Sequence, residues 1–199
     1  MKKIFLLAAL CCGIVTTGFS QKIKLASGSL GFLKNEPSFN VQFTYDNMRV
    51  GKLSEADYVK KKVADGNAKE AGRGDTWHAS WTEDRESRFQ PQFIELYNKY
   101  ASEKGKPVIA DNADAEYTLV VNTDFSEPGF NVGVARRNAA VNLTATFVNR
   151  NNEKVAVITI VKASANNFWG TDFDTGYRLQ ETYAVAGREL AKFIIKTLK

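Results

Sequence analysis

AAVNLTATFVNRNNEKVAVITIVKA, residues 139–163, is the stretch whose reading decides the fold. Apolar side chains recur at every second position, Val141, Leu143, Ala145 and Phe147, with Asn142, Thr144 and Thr146 between them. A period of two belongs to a pleated strand with one buried face. Asn149-Arg150-Asn151-Asn152 then supplies turn chemistry, and Lys154 to Ala163 is a second strand-like run. Together they predict an antiparallel hairpin.

Upstream, Tyr117, Leu119, Val121, Thr123 and Phe125 alternate with Thr118, Val120, Asn122 and Asp124, and Pro128-Gly129 bends the chain toward the hairpin. This predicts a three-strand meander. Downstream, the period lengthens. Leu179, Tyr183, Ala186, Leu190, Phe193 and Ile194 form one stripe of a helix over about 175–198, with Arg178, Glu181, Arg188, Lys192 and Lys196 off it.

The first half adds fewer regular elements. Residues 22–33, with Gly28 and Gly31, read as an irregular first strand or an extended lead-in. Phe39, Val41, Phe43 and Tyr45 alternate as a half-buried strand. Ser54-Glu55-Ala56-Asp57 resembles a capping box, flanked by Leu53 and Tyr58 as a hydrophobic staple, and opens a short helix that fades at Gly66-Asn67. The glycine-containing polar stretch from Ala71 to Glu83, with Trp77, His78 and Trp81, is expected to be a loop. A second helix over about 84–104 turns Phe89, Phe93, Leu96, Tyr97 and Tyr100 to one face and stops at Gly105 before Pro107; Pro91 either marks its start or kinks it.

The expected class is α/β of the α+β type: one two-layer sandwich with a mostly antiparallel sheet and amphipathic helices packed on one face. The strand at 39–45 is a candidate parallel neighbour of the meander through a right-handed crossover. No repeat or linker divides residues 21–199, so a single domain is expected.

The first twenty residues read as a signal peptide. Lys2 and Lys3 precede an apolar run from Ile4 to Val15, and Gly18-Phe19-Ser20 supplies a cleavage site before Gln21. Both cysteines, Cys11 and Cys12, lie in that leader, so the expected mature chain has no disulfide and no thiol chemistry. A lipoprotein anchor is disfavoured because Leu10, not a small residue, precedes Cys11. The whole chain carries 27 basic and 22 acidic side chains; without Lys2 and Lys3 the balance is 25 against 22, near neutrality at +3. That balance, with no basic stripe, argues against nucleic acid. Charged residues interrupt every later apolar run, so no transmembrane segment is expected in the mature chain. The expected location is the periplasm or the exterior.

Four segments carry a resemblance: Phe39-Asn-Val-Gln-Phe-Thr-Tyr-Asp-Asn-Met48, the Trp77/Trp81 region, Phe125-Ser-Glu-Pro-Gly-Phe-Asn-Val-Gly133 and Asp172-Phe-Asp-Thr-Gly-Tyr-Arg178. Over most of the mature chain they resemble a small family of secreted Gram-negative envelope proteins of unknown function. The order of elements is similar to the α/β modules typified by the TolB amino-terminal domain and CsgG. The resemblance implies an envelope setting and assigns no activity.

Catalytic signatures are sparse. His78 is the sole histidine, so a Ser-His-Asp arrangement has one candidate base, and no G-x-S-x-G accompanies it. Histidine-rich zinc sites are excluded, and Asp172-Phe173-Asp174-Thr175-Gly176 departs from a calcium loop because Tyr183 stands where a bidentate Glu belongs. It reads instead as a turn in which Asp or Thr caps the last helix. Asp111, Asp114 and Glu116 read as a solvated loop, and Arg73-Gly74-Asp75 as part of the 71–83 loop. No cofactor and no metal are expected.

The remaining candidates are large rings and an arginine pair: Trp77, His78, Trp81, Phe130, Arg136, Arg137, Trp169 and Phe173. Rings outside regular elements suit a protein partner or a glycan, and paired arginines suit an acidic group. The expectation is a non-enzymatic envelope protein that binds another envelope component, protein or glycan. The alternatives are a glycan hydrolase using two carboxylates about 5–10 Å apart, and a small-ligand or lipid-binding module.

Overall fold

The computed structural model describes residues 21–132, 134–165 and 174–199. Residues 1–20, on which the expected leader falls, lie outside the described residues.

The chain runs β1 (Lys22–Gly28), a short 3-10 turn (Gly31–Lys34), β2 (Ser38–Thr44), β3 (Arg49–Val50), β4 (Leu53–Ser54), α1 (Glu55–Asn67), α2 (Arg73–Asp84), a π turn (Arg85–Phe89) and α3 (Gln90–Ser102). It continues through β5 (Val108–Ile109), β6 (Tyr117–Glu127), β7 (Phe130–Asn131), β8 (Arg136–Arg137), β9 (Ala140–Asn149), β10 (Lys154–Ala163) and α4 (Thr175–Thr197). The main sheet has the order β1-β10-β9-β6-β2-β5. Its long strands β1, β10, β9 and β6 pair antiparallel, while β2 joins β6 in parallel, Val41 opposite Leu119. The expected meander, hairpin and parallel neighbour are all present.

Alternation puts Leu119, Val121, Leu143, Ala145, Phe147, Ile158 and Ile160 in the core. The intervening Val120, Asn122, Thr144, Thr146, Val157 and Thr159 remain half-buried on the other face. Helix α4 presents Leu179, Tyr183, Ala186, Leu190 and Ile194 to the core. Asp174 caps it, accepting from the Gly176 amide at 2.8 Å. Helices α3 and α4 run side by side in the same direction: Gly187 lies against Phe93, and the Lys106 ammonium reaches the Leu198 carbonyl at 3.5 Å.

Helix α1 begins at the expected cap, where Ser54 Oγ accepts from the Asp57 amide at 3.1 Å. The stretch expected to be a loop from Ala71 to Glu83 is instead helical from Arg73 onward. Gly72, at φ +81°, turns the chain, and Gly74 and Gly66 let the backbones of α2 and α1 touch; a Cβ on Gly74 would stand 2.1 Å from the Val63 carbonyl oxygen. Arg73-Gly74-Asp75 is therefore the first turn of a helix, with its glycine buried. Trp77 and Trp81, four residues apart, fall on one face and stack at 5.6 Å beside Tyr58 of α1. Tertiary packing of these rings outweighs the weak helix propensity of the glycines.

The π turn resolves the Pro91 ambiguity. It widens the helix just before a residue with no amide donor, and Pro91 then sits in the first turn of α3. The same turn directs Phe89 inward, where it stacks on Tyr183 with ring centroids 5.0 Å apart.

Candidate functional site

The expected site residues separate into two regions. Trp77, His78 and Trp81 belong to α2, not to loops. Trp81 is buried at 6% exposure, and its indole N–H donates to Glu55 Oε1 at 2.7 Å. Glu55 is also paired with Arg85, whose guanidinium lies 4.1 Å from the centre of the Tyr45 ring. Trp77 is half-buried, with Lys62 5.3 Å over its ring. His78, the next residue along α2 from Trp77, is exposed. The tryptophans thus fasten α1 to α2. Trp169 and Phe173 lie outside the described residues.

Two carboxylates converge in the described structure. Asp84 accepts from Arg88 Nε at 3.1 Å, and Asp174 accepts from Arg88 Nη1 at 3.1 Å. Burial pushes the Asp84 carboxyl up, against Arg88 and with Asp174 adding to the rise. Asp174, which burial alone would raise, is held below its ordinary value by Arg88 and by the amides of Gly176 and Tyr177. A cation fills the space between them, and one caps α4, so the group joins α2 to α4. Asp111, Asp114 and Glu116 are exposed as expected, with Glu116 3.3 Å from Arg150. Among the described residues, no cluster of three or more His, Cys, Asp or Glu is arranged to hold a metal ion.

Phe130, Arg136 and Arg137 do come together. After β6, Pro128-Gly129 turns the chain into the small β7–β8 hairpin, which pairs Phe130 with Arg137 and Asn131 with Arg136. Arg137 lies 5.8 Å from the centre of the Phe130 ring and 3.3 Å from Glu127. The hairpin stands beside a cleft of about 690 Å³, walled by Arg136, Arg137, Lys162 and the Glu127 that pairs with Arg137, and floored by Phe125, Ala140 and Val161. A bulge in β10 shapes that floor. Lys162 adopts φ +57°, and its amide donates to Asn142 Oδ1 at 2.8 Å, which interrupts the strand alternation between Ile160 and Ala163.

The base of the hairpin is held from inside by a residue that periodicity placed off the apolar stripe. Arg178 of α4 is 6% exposed; its Nε donates to the Pro128 carbonyl at 3.0 Å, and Nη2 reaches the Gly129 carbonyl and Thr175 Oγ1. A buried arginine is favourable here because the turn leaves backbone carbonyls that need donors. No spacing rule marks such a residue. The signal in the sequence is a Pro-Gly turn and a helix start that have to meet.

Similarity to known proteins is confined to remote structural likeness. No family model matches the chain, and no curated protein matches it. Two structures of the PelC dodecamer from Paraburkholderia phytofirmans are similar at 12% and 11% identity, each covering 83% of this chain and 96% of that one, with TM-scores of 0.35. Protein XCC0632 from Xanthomonas campestris, of the DUF330 family, is similar at 12% identity over 80% of this chain and 85% of that one, again with a TM-score of 0.35. At these scores the fold assignment stands on the chain's own strand pairing and packing. No helix among the described residues is long and apolar enough to cross a membrane.

Proposed function

We propose that this chain is a non-enzymatic binding protein of the Gram-negative envelope that holds an anionic envelope component at the cleft beside the β7–β8 hairpin. One observation carries this: a cleft of about 690 Å³ has two arginines and a lysine against a single glutamate on its walls, an apolar floor, and the exposed Phe130 beside it. Cationic forks match carboxylate and phosphate groups, while the floor and ring suit the apolar part of the same ligand. The envelope setting is supported by the leader at residues 1–20 and by the resemblance to a secreted Gram-negative family; the likeness in element order to TolB and CsgG belongs with the same proposal. Phe130 and the arginines carry this binding role and Trp81 does not, since Trp81 is buried in the core.

The test is photo-crosslinking in the native cell, with benzoylphenylalanine in place of Phe130 and, as control, of Ala79 on the exposed side of α2. An adduct is expected at position 130 only, and it should disappear when Arg136→Glu and Arg137→Glu are added. Equal labelling at both positions, or none at 130, sinks the binding role.

A further inference from the structure

The exposed large hydrophobic side chains among the described residues are Leu53, Phe130, Val132, Val134 and Val161, and all lie at one end of the sheet. Strand pairing places them there. β3, which leads through a tight turn to Leu53, pairs Arg49 with Phe125 and Val50 with Ser126 at the end of β6. β7 follows that same end, and Val161 of β10 floors the adjoining cleft. Val134 is 99% exposed and Val132 63%, at the tip of a hairpin whose base carries two arginines.

Charge at this end is mostly of one sign. Arg49, Lys52, Arg136, Arg137 and Lys162 are exposed around the apolar tips. The nearby carboxylates are engaged: Glu127 with Arg137 of the same cationic group, Glu55 with Arg85, Asp174 with Arg88, Asp124 with the Thr144 hydroxyl, and exposed Asp57 with the Ser54 hydroxyl at 2.7 Å. Asp46 is exposed one turn behind β2, against Asn122.

We infer that this end of the molecule seats on the surface of an anionic lipid bilayer, with Phe130, Val132 and Val134 entering the interfacial layer and the surrounding cations meeting the phosphates. Leu53 and the Phe130–Val134 tip belong to two separate hairpins, with Val161 recessed in the cleft between strand ends, so they form small apolar prominences instead of one flat patch. A soft interface accommodates such a profile, and a ring of cations around apolar side chains matches its charge and depth. The arginine stems lie along apolar surface while their heads stay at the phosphates. Seated this way, the cleft opens at headgroup level. It rests on the reading that this end of the sheet is the binding surface, and goes beyond it by naming the partner.

A probe on the hairpin tests it without interference from the leader. In a C11S/C12S background, Val134→Cys is labelled with an environment-sensitive fluorophore and mixed with phosphatidylglycerol-containing vesicles or with pure phosphatidylcholine vesicles. A blue shift, and quenching by spin-labelled acyl chains, is expected only with the anionic vesicles. The same probe on Ala79→Cys should not respond. Arg136→Gln with Arg137→Gln is expected to weaken the response by about 25-fold, about fivefold for each cation, and high salt should weaken it further. No shift with either vesicle, an equal shift at positions 134 and 79, or indifference to lipid charge overturns the bilayer assignment. A protein or glycan adduct at Phe130 together with a silent vesicle assay would overturn the lipid partner while leaving the binding role intact. A vesicle response without any cellular adduct would separate them the other way.

Discussion

Gly187 has no room for a side chain, because a Cβ there would stand 2.1 Å from the Phe93 carbonyl oxygen. That single contact sets how closely α3 and α4 lie. Gly187→Ala is expected to push the two helices apart and cost about 1–3 kcal/mol, read as a lower denaturant midpoint with an unchanged slope. An unchanged midpoint would mean that the helices shift without loss. Single residues also show where pattern reading stops. Charge alone predicts Arg178 on the polar side of α4, yet it is buried, because the carbonyls of Pro128 and Gly129 need its donors. Asp174 shows the opposite case, since a cap is a local interaction between neighbours in the chain, and it was legible beforehand.

Among the elements, strands and long helices were legible because their periods are properties of the local backbone. Helix α2 was not. Its glycines and polar residues weaken every local helix signal, and its stability comes from Trp77 and Trp81 packing on Tyr58 and from Glu55 across the gap. Glu55 is therefore the joint between α1 and α2. Glu55→Ala leaves the Trp81 indole N–H and the Arg85 guanidinium without their acceptor, and is expected to cost about 2 kcal/mol. Chemical denaturation measures the loss, and the near-ultraviolet circular dichroism of the tryptophans should change with it. Wild-type stability together with a wild-type tryptophan spectrum would show that the pair fastens nothing. The β7–β8 hairpin, by contrast, depends on a two-residue turn signal and on Arg178 beneath it, and only part of that was visible in its own sequence.

Across the whole molecule, burial of phenols ties stability to alkaline pH. Tyr45, Tyr58, Tyr97 and Tyr183 are distributed over both layers, and burial is the first cause that raises each above the ordinary tyrosine value of 10.0. The unfolded chain therefore gives up these protons first. Above about pH 10 the folded state binds more of these phenolic protons than the unfolded one, so the phenols' contribution to stability is fully present below that point and is lost as pH rises through the folded values. An alkaline titration followed by tyrosine absorbance and far-ultraviolet circular dichroism should show some of the seven tyrosines ionising only as the fold is lost. Ionisation of all seven with the fold intact would contradict their burial.

The amino-acid sequence by itself determined the strand periods, the amphipathic stripe of α4, the caps of α1 and α4 and the two-layer class, because each depends on interactions between near neighbours along the backbone. Tertiary structure alone decided which rings are core and which are surface. Trp81 and Phe130 are both large aromatics in polar surroundings, but one meets Glu55 and Tyr58 while the other stands on a projecting hairpin. The gathering of Leu53, the 132–136 hairpin segment and Val161 at one end of the sheet was likewise decided there, since these three segments, far apart in the chain, meet only through strand pairing.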